Sequence, residues 1–223
     1  MALPYFRYLP NFDYVSRLPN AKNISDYIQV KNLFRRAKIN PDLFQNINFF
    51  TQYKIIGDER PDNVAFKIYD DQYLDWLVLL ANNIINVEEE WPLSQKSFYN
   101  FMISKYGSET AFNEIHHYET NQIKDSNGRT VLKSGLEVQS TFTLTYFDSG
   151  LNQVITNTNV IASVTNYEYE DKIQDKKRNI YLVKPTYLNQ ILNDLEDGLL
   201  YQSGSSQYVN DNLAVGENIR LYE

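Results

Sequence analysis

The only imidazoles in the chain are the adjacent His116 and His117, with Glu114 and Glu119 close by. Neighbouring side chains on a strand point to opposite faces, and on a helix they diverge by about 100 degrees. Bidentate metal capture by this pair is therefore awkward, and the two read as a surface or partly packed pair. A histidine-based triad, or a metal site built from separated imidazoles, has no other residues to draw on. Asp70, Asp71, Glu88, Glu89 and Glu90 are of the type that a glycosidase sets roughly 5 to 9.5 Å apart, but runs of acids at helix ends and in loops are usually solvated. Asp125-Ser-Asn-Gly128 opens like a calcium loop but lacks its last ligand, because the closing position falls on Leu136 and Glu137 comes one place late. It reads as a turn. Cysteine is absent, which removes disulfides, thiolate metal sites and cysteine nucleophiles together. No glycine-rich phosphate loop or nucleophile elbow occurs. The sequence predicts no catalytic residues, no metal and no cofactor, and hence not an enzyme.

Charge and composition narrow the partners. The 223 residues carry 21 Lys and Arg against 28 Asp and Glu, a formal net charge of −7. A chain that neutralises a phosphate backbone leans the other way, so nucleic acid is not expected as a ligand. The start, Met1 to Pro10, lacks the uninterrupted apolar core of a secretory signal, and no run approaches the ~20 apolar residues that span a bilayer. No membrane partner is expected. Aromatic content is 14%, with 18 Tyr, 12 Phe and 2 Trp. Tyr-rich surfaces suit contacts that are apolar on one side and hydrogen-bonded on the other.

The elements that would position these residues follow from local pattern. Pro4, Pro10 and Pro19 bias the first twenty residues towards an extended arm, in which Tyr5, Phe6, Tyr8, Phe12 and Tyr14 either pack back on their own domain or are candidates for a partner interface. Such a stiffened segment loses little entropy on docking. Ser25 is placed to cap a helix over about 26–38, with Tyr27, Val30, Leu33, Phe34 and Ala37 on one face and Lys31, Arg35, Arg36 and Lys38 on the other. The basic face reads as a solvated surface or, with Arg35 and Arg36 joining the interface candidates, as a contact for an acidic partner. Phe49 to Ile56 reads as a strand ending at Gly57-Asp58, with Asp58 capping a helix that holds Pro61 in its first turn. That helix ends at Tyr69-Asp70-Asp71, and a second, apolar nearly all round, runs from about Gln72 to Asn83. Ser94 opens a third, stopped near Gly107. The pattern then turns to period two. Leu136, Val138, Phe142, Leu144 and Tyr146 mark one half-exposed strand, Asn127-Gly128 and Asp148-Ser149-Gly150 mark turns, and Val154-Ile155 and Val160–Val164 mark further strands. A charged segment from Glu168 to Arg178 separates this antiparallel unit from a strand at Ile180–Val183. Leu188, Ile191, Leu192, Leu195 and Leu199 mark a last amphipathic helix ending near Gly198. The tail is linker-like through Ser203–Ser206 until Ile219 and Leu221.

Within this order, Tyr53, Gly57, Asp58, Ala65, Tyr69, Asp70, Trp76, Leu80 and Asn82 stand at spacings that resemble a LysM module: strand, Gly-Asp turn, helix, Tyr-Gly-Asp corner and Trp-containing second helix. Asp70 stands where the module has glycine. No closing strand follows Asn83, and the best candidate for it is Arg178–Lys184. The fold expected is α+β, a small LysM-like βααβ domain split by an inserted antiparallel β unit, with an extended N-terminal arm and helix and a C-terminal tail. The corresponding segments are 1–47 for the arm and helix, 48–97 for the first part of the domain, 98–177 for a helix plus the inserted unit, 178–200 for the closing strand and helix, and 201–223 for the tail.

The basic N-terminal helix, Ile56-Gly-Asp-Glu-Arg-Pro-Asp-Asn-Val-Ala65, Tyr69-Asp70, Trp76, Asn82-Asn-Ile-Ile85, Trp91-Pro92, Lys105-Tyr-Gly107, Ile180–Val183 and Leu188–Leu195 together resemble the baseplate wedge protein 53 family of contractile-tailed, T-even-like phages. The resemblance spans roughly 27–107 and 178–197. It implies a structural subunit of the tail baseplate, assembled in the host bacterial cytoplasm, that joins other wedge subunits, reaches copies in neighbouring wedges of a six-fold ring and meets the central hub. The LysM likeness alone would instead imply a module that binds peptidoglycan-type glycans, and the acidic clusters are the sole support for a cell-wall hydrolase.

Overall fold

The computed structural model describes residues 4–16, 26–40, 47–204 and 207–216, which form a mixed α+β structure with several small sheets. Pro19, the proposed cap Ser25, and Ile219 and Leu221 lie outside the described residues. The described chain falls into two compact units, one drawn from Met1–Trp91 and Arg178–Glu223, the other being Pro92–Lys177. The division comes between Trp91 and Pro92, ahead of the 97/98 boundary expected from the sequence.

In the first unit, α1 (Tyr5–Tyr8) is a single turn that Pro4 opens, where the sequence suggested extended chain. Strand β1 (Asn11–Val15) pairs antiparallel with β2 (Tyr27–Lys31), from Asn11↔Lys31 to Val15↔Tyr27. The helix expected over 26–38 is therefore a strand followed by a turn. Its apolar residues do fall at helical spacing, but Tyr27, Ile28 and Val30 favour strand, and pairing with β1 settles the competition. Strand β3 (Phe50–Lys54) leads through the Gly57 turn, whose φ of 60° suits glycine, into α2 (Pro61–Tyr69). Asp58 does not cap this helix. The N-cap is Arg60, without a side-chain bond, because Pro61 fixes the first helical position two residues further on. A short turn leads into α3 (Asp75–Ala81), and α4 (Val87–Glu90) follows.

After the second unit the chain returns as β11 (Asn179–Val183), which pairs antiparallel with β3, from Phe50↔Val183 to Lys54↔Asn179. Helix α7 (Leu188–Leu199) buries Ile191, Leu195 and Leu199. Strands β12 (Tyr208–Asn210) and β13 (Leu213–Val215) close the unit. Residues that looked linker-like are thus sheet, since β13 pairs in parallel with β1 (Asn11↔Leu213, Phe12↔Ala214, Asp13↔Val215), giving the order β12-β13-β1-β2. The core gathers Leu9, Phe50, Ile55, Val64, Ala65, Leu74, Leu77, Val78, Trp91, Leu182, Val183 and Ile191, from β3, α2, α3, β11 and α7 and from residues that flank these or α1 and α4.

The second unit opens with α5 (Gln95–Tyr106). Ser94 caps it, its hydroxyl accepting from the Ser97 amide at 3.2 Å, and left-handed Gly107 ends it. Strand β4 (Ile115–Thr120) lies between β10 (Ile161–Thr165) and β7 (Glu137–Val138). Two ribbons accompany this sheet: β5 (Ile123–Lys124) with β6 (Thr130–Leu132), and β8 (Leu144–Asp148) with β9 (Gln153–Asn157). The single strand expected through 136–146 is broken, because the Phe142 amide closes a turn onto the Gln139 carbonyl at 3.0 Å. The charged segment after β10 is a helix, α6 (Asn166–Lys177), and not a separator. It escaped the apolar pattern because its buried face is polar: Asn166, Glu170 and Gln174, four residues apart, are 8%, 3% and 6% exposed.

Candidate functional site

In the first unit most functional groups are engaged in holding the chain together. Asn82 acts as a surrogate strand. Its amide donates to the carbonyls of Val78 and Tyr181, both at 2.8 Å, and its Oδ1 accepts from the Tyr181 N–H at 2.7 Å. Trp91 is buried and donates its indole N–H to the Glu59 carbonyl at 2.9 Å. Tyr69 donates to the Val183 carbonyl at 2.9 Å, and burial pushes its hydroxyl well above the usual tyrosine range.

A polar knot closes the turn after β3. Glu59 accepts from the Tyr53 hydroxyl at 2.8 Å, the Ile56 amide at 3.0 Å and the Lys67 ammonium at 3.1 Å. Burial alone would raise the Glu59 carboxyl, but these donors outweigh it and hold the group below the carboxylate range, while hydrogen bonds to Tyr53 and Glu59 raise Lys67. Ala65 is fully buried, Leu80 packs partly buried against the core, and Gly57 and Asp58 sit exposed in the turn. Asp70 takes the left-handed conformation (φ 58°, ψ 22°) and returns its N–H to the Phe66 carbonyl at 2.9 Å. A glycine-like position is thus filled by one of the few other residues that tolerate it.

The aromatic residues singled out near the N-terminus separate into two groups. Tyr5 and Tyr8 turn inward onto Trp76, with ring centroids 5.5 and 5.6 Å away, and the Tyr5 hydroxyl accepts from the Ala37 amide at 3.0 Å. Phe12 is partly buried, whereas Phe6 and Tyr14 are exposed. Arg35 lies over the Tyr201 ring at 5.0 Å, and Arg36 donates to the Asn83 side-chain Oδ1 at 3.4 Å. What the sequence did not single out is β2 itself. All five of its residues are exposed, and Phe34 just beyond it is fully exposed. The helical reading hides this, since it groups Val30 and Phe34 on one apolar face of a helix.

The second unit shows the same economy. Buried Glu170 accepts from Lys105 at 2.5 Å and from the Tyr106 hydroxyl at 2.9 Å, and Gln174 accepts from the Leu93 amide at 3.0 Å. Asp148 accepts from the Ser126 hydroxyl and from the amides of Ser126, Gly150 and Leu151, and these bonds hold its carboxyl down at about 2. His116 and His117 face each other, Nδ1 to Nδ1, at 2.8 Å; His116 stacks on Tyr169, and the far nitrogen of His117 meets Glu119 at 3.1 Å. Asp125 folds back on its own turn, accepting from the amides of Asn127 and Arg129. Among the described residues no three His, Asp or Glu side chains are grouped to hold a metal ion, and no helix is long and apolar enough to cross a membrane.

Among the described residues, polar groups are turned to internal bracing and one edge of the β12-β13-β1-β2 sheet is left exposed, an arrangement that suits a structural subunit. The family model for base plate wedge protein 53 matches residues 5–133, and the chain belongs to that family. It is a structural subunit of a phage tail baseplate wedge, and so a component of the virion tail. Baseplate wedge protein gp53 of Enterobacteria phage T4 is 26% identical over 145 residues, which cover 64% of this chain and 70% of that protein.

Proposed function

We propose that this subunit joins the components of one wedge and ties neighbouring wedges of a six-fold ring around the central hub, without catalytic activity, after assembly in the host bacterial cytoplasm. In this reading β3, α2, α3 and β11 make a LysM-like βααβ core (48–97 and 178–200) that serves as a rigid mount. The arm (1–47), the insertion (98–177) and the tail (201–223) are the contact elements, with Phe6, Phe12, Tyr14, Arg35 and Arg36 at the interface and Tyr5 and Tyr8 fixing the arm to Trp76.

The observation that carries the proposal is the mixed sheet β12-β13-β1-β2, in which segments from opposite ends of the described chain are paired while β2 stays exposed on every residue. Long exposed apolar edges are a liability that native proteins cover. Hydrogen exchange tests the proposal. Amides in 11–15 and 27–31 should gain protection on going from the isolated subunit to the assembled baseplate, and equal protection in both states would remove the joining role.

A further inference from the structure

We propose that β2 and the turn after it form a docking edge for an extended, acidic segment of another baseplate subunit, with Phe34 as the anchor residue. This deepens the joining role and rests on it.

Three observations on the same segment support it. First, Tyr27, Ile28 and Val30 are 41%, 37% and 42% exposed although β2 is hydrogen-bonded to β1, and among the described residues β2 pairs with β1 alone. Native edges are blunted by proline or by a charge within the strand, yet the single charge in β2 is Lys31 at its end. An added strand would satisfy the open backbone edge and cover the side chains that flank it.

Second, Phe34 is displayed by a built turn. Asn32 receives the Phe34 amide on its Oδ1 at 3.1 Å, donates its Nδ2 to the Tyr201 hydroxyl at 2.8 Å, and gives its own N–H to the Pro10 carbonyl at 3.0 Å. Arg35 on the Tyr201 ring braces the other side. A fully exposed phenyl ring held on an ordered turn has met most of its ordering cost before binding, as interface anchors do.

Third, the charge is one-sided. Lys31, Arg35, Arg36 and Lys38 fall within eight residues, and no Asp or Glu occurs between Tyr27 and Asn40, in a chain whose net charge is −7. None of the four makes an ion pair with a carboxylate among the described residues. Residues 27–40 of a second copy would offer these cations no carboxylate, so the occupant is a different subunit whose carboxylates face them.

The absence of cysteine makes the test direct. Gln29→Cys, carrying a benzophenone maleimide, should crosslink in assembled tails to an acidic extended segment of another baseplate subunit. Phe34→Ala, whose folding is checked by circular dichroism, should reduce incorporation about tenfold or more when it competes with the unmutated chain. A crosslink to a second copy of this chain would overturn the proposal. So would an unlabelled Gln29→Cys thiol that still reacts with maleimide in finished particles containing the subunit. Failure of the joining role itself looks different: baseplates would then close normally without the subunit.

Discussion

Asn82 and Tyr181, 99 residues apart, are hydrogen-bonded as two paired strands would be, the side-chain amide of one matching the backbone N–H and C=O of the other. The same amide also holds the Val78 carbonyl in the last turn of α3, so one side chain ties a helix end to the strand that returns after the second unit. Replacing Asn82 by Ala leaves the N–H and C=O of Tyr181 without this partner. A loss of about 2 kcal/mol in urea unfolding is expected, at roughly 1 kcal/mol for each hydrogen bond and less for the exposed part. Asn82→Asp keeps the acceptor but sets a carboxylate oxygen against the Val78 and Tyr181 carbonyls, and it should be no more stable than Ala. Equal stability of all three would refute the bridging role.

Asp70 occupies a backbone conformation that glycine adopts without cost. Asp70→Gly should raise stability by up to about 1 kcal/mol and Asp70→Ala should lower it, because an alanine Cβ is strained at positive φ. Thermal melts of the two variants give the answer, and a more stable Ala variant would contradict the assigned geometry.

The Asp148 carboxyl titrates at about 2 in the folded protein, below the ordinary value of about 3.9. The hydrogen bond from the Ser126 hydroxyl is the largest cause, followed by the Ser126 amide. A depressed folded value gives stability that is fully present above the unfolded value and is lost as pH falls through the folded one. The stability gap between the native chain and Asp148→Asn should therefore be constant above about pH 5 and shrink towards pH 2. A gap that does not change with pH would show that the carboxylate charge plays no part.

Buried Glu170 and half-exposed Lys105 form the second unit's tightest ion pair. Glu170→Ala should cost about 2 kcal/mol or more, since the Tyr106 hydroxyl also loses its acceptor. In a double-mutant cycle with Lys105→Met the pair should show coupling of about 1 kcal/mol or more. Strict additivity would mean that Lys105 is simply solvated.

At Gly216 a Cβ would come within 2.9 Å of the Phe12 ring and 3.3 Å of the Asp13 carbonyl oxygen. Gly216→Ala should destabilise the β1–β13 pairing by about 1 kcal/mol. Phe12→Leu in the same chain should recover part of the loss, and no recovery would place the strain on the backbone contact.

The sequence disclosed those parts of the fold whose signals are local. Pro61 at a helix start, Gly57 and Gly107 at turns, the Ser94 cap and the spacing of Ile191, Leu195 and Leu199 each act within a few residues, and the structure places each as read. Three features stayed hidden for distinct reasons. Helix α6 buries Asn166, Glu170 and Gln174, each satisfied by hydrogen bonds, so no apolar stripe announces it. Strand β2 has helical spacing and strand-forming residues together, and only its neighbour β1 decides between them. The parallel pairing of Asn11 with Leu213 is a contact between distant segments that no local pattern encodes. The interface candidates divide likewise: Tyr5 and Tyr8 are turned inward by Trp76, a partner that their own stretch of sequence cannot reveal.

The excursion from Trp91 to Arg178 has a consequence for synthesis. During translation Pro92–Lys177 emerges as one continuous stretch and meets all its own contacts, while β3 has to wait for β11 and β1 has to wait for β13. Vectorial synthesis therefore completes the second unit first and the β1–β13 sheet last. A neighbour that recognised this sheet would bind only chains that the ribosome has read through Val215.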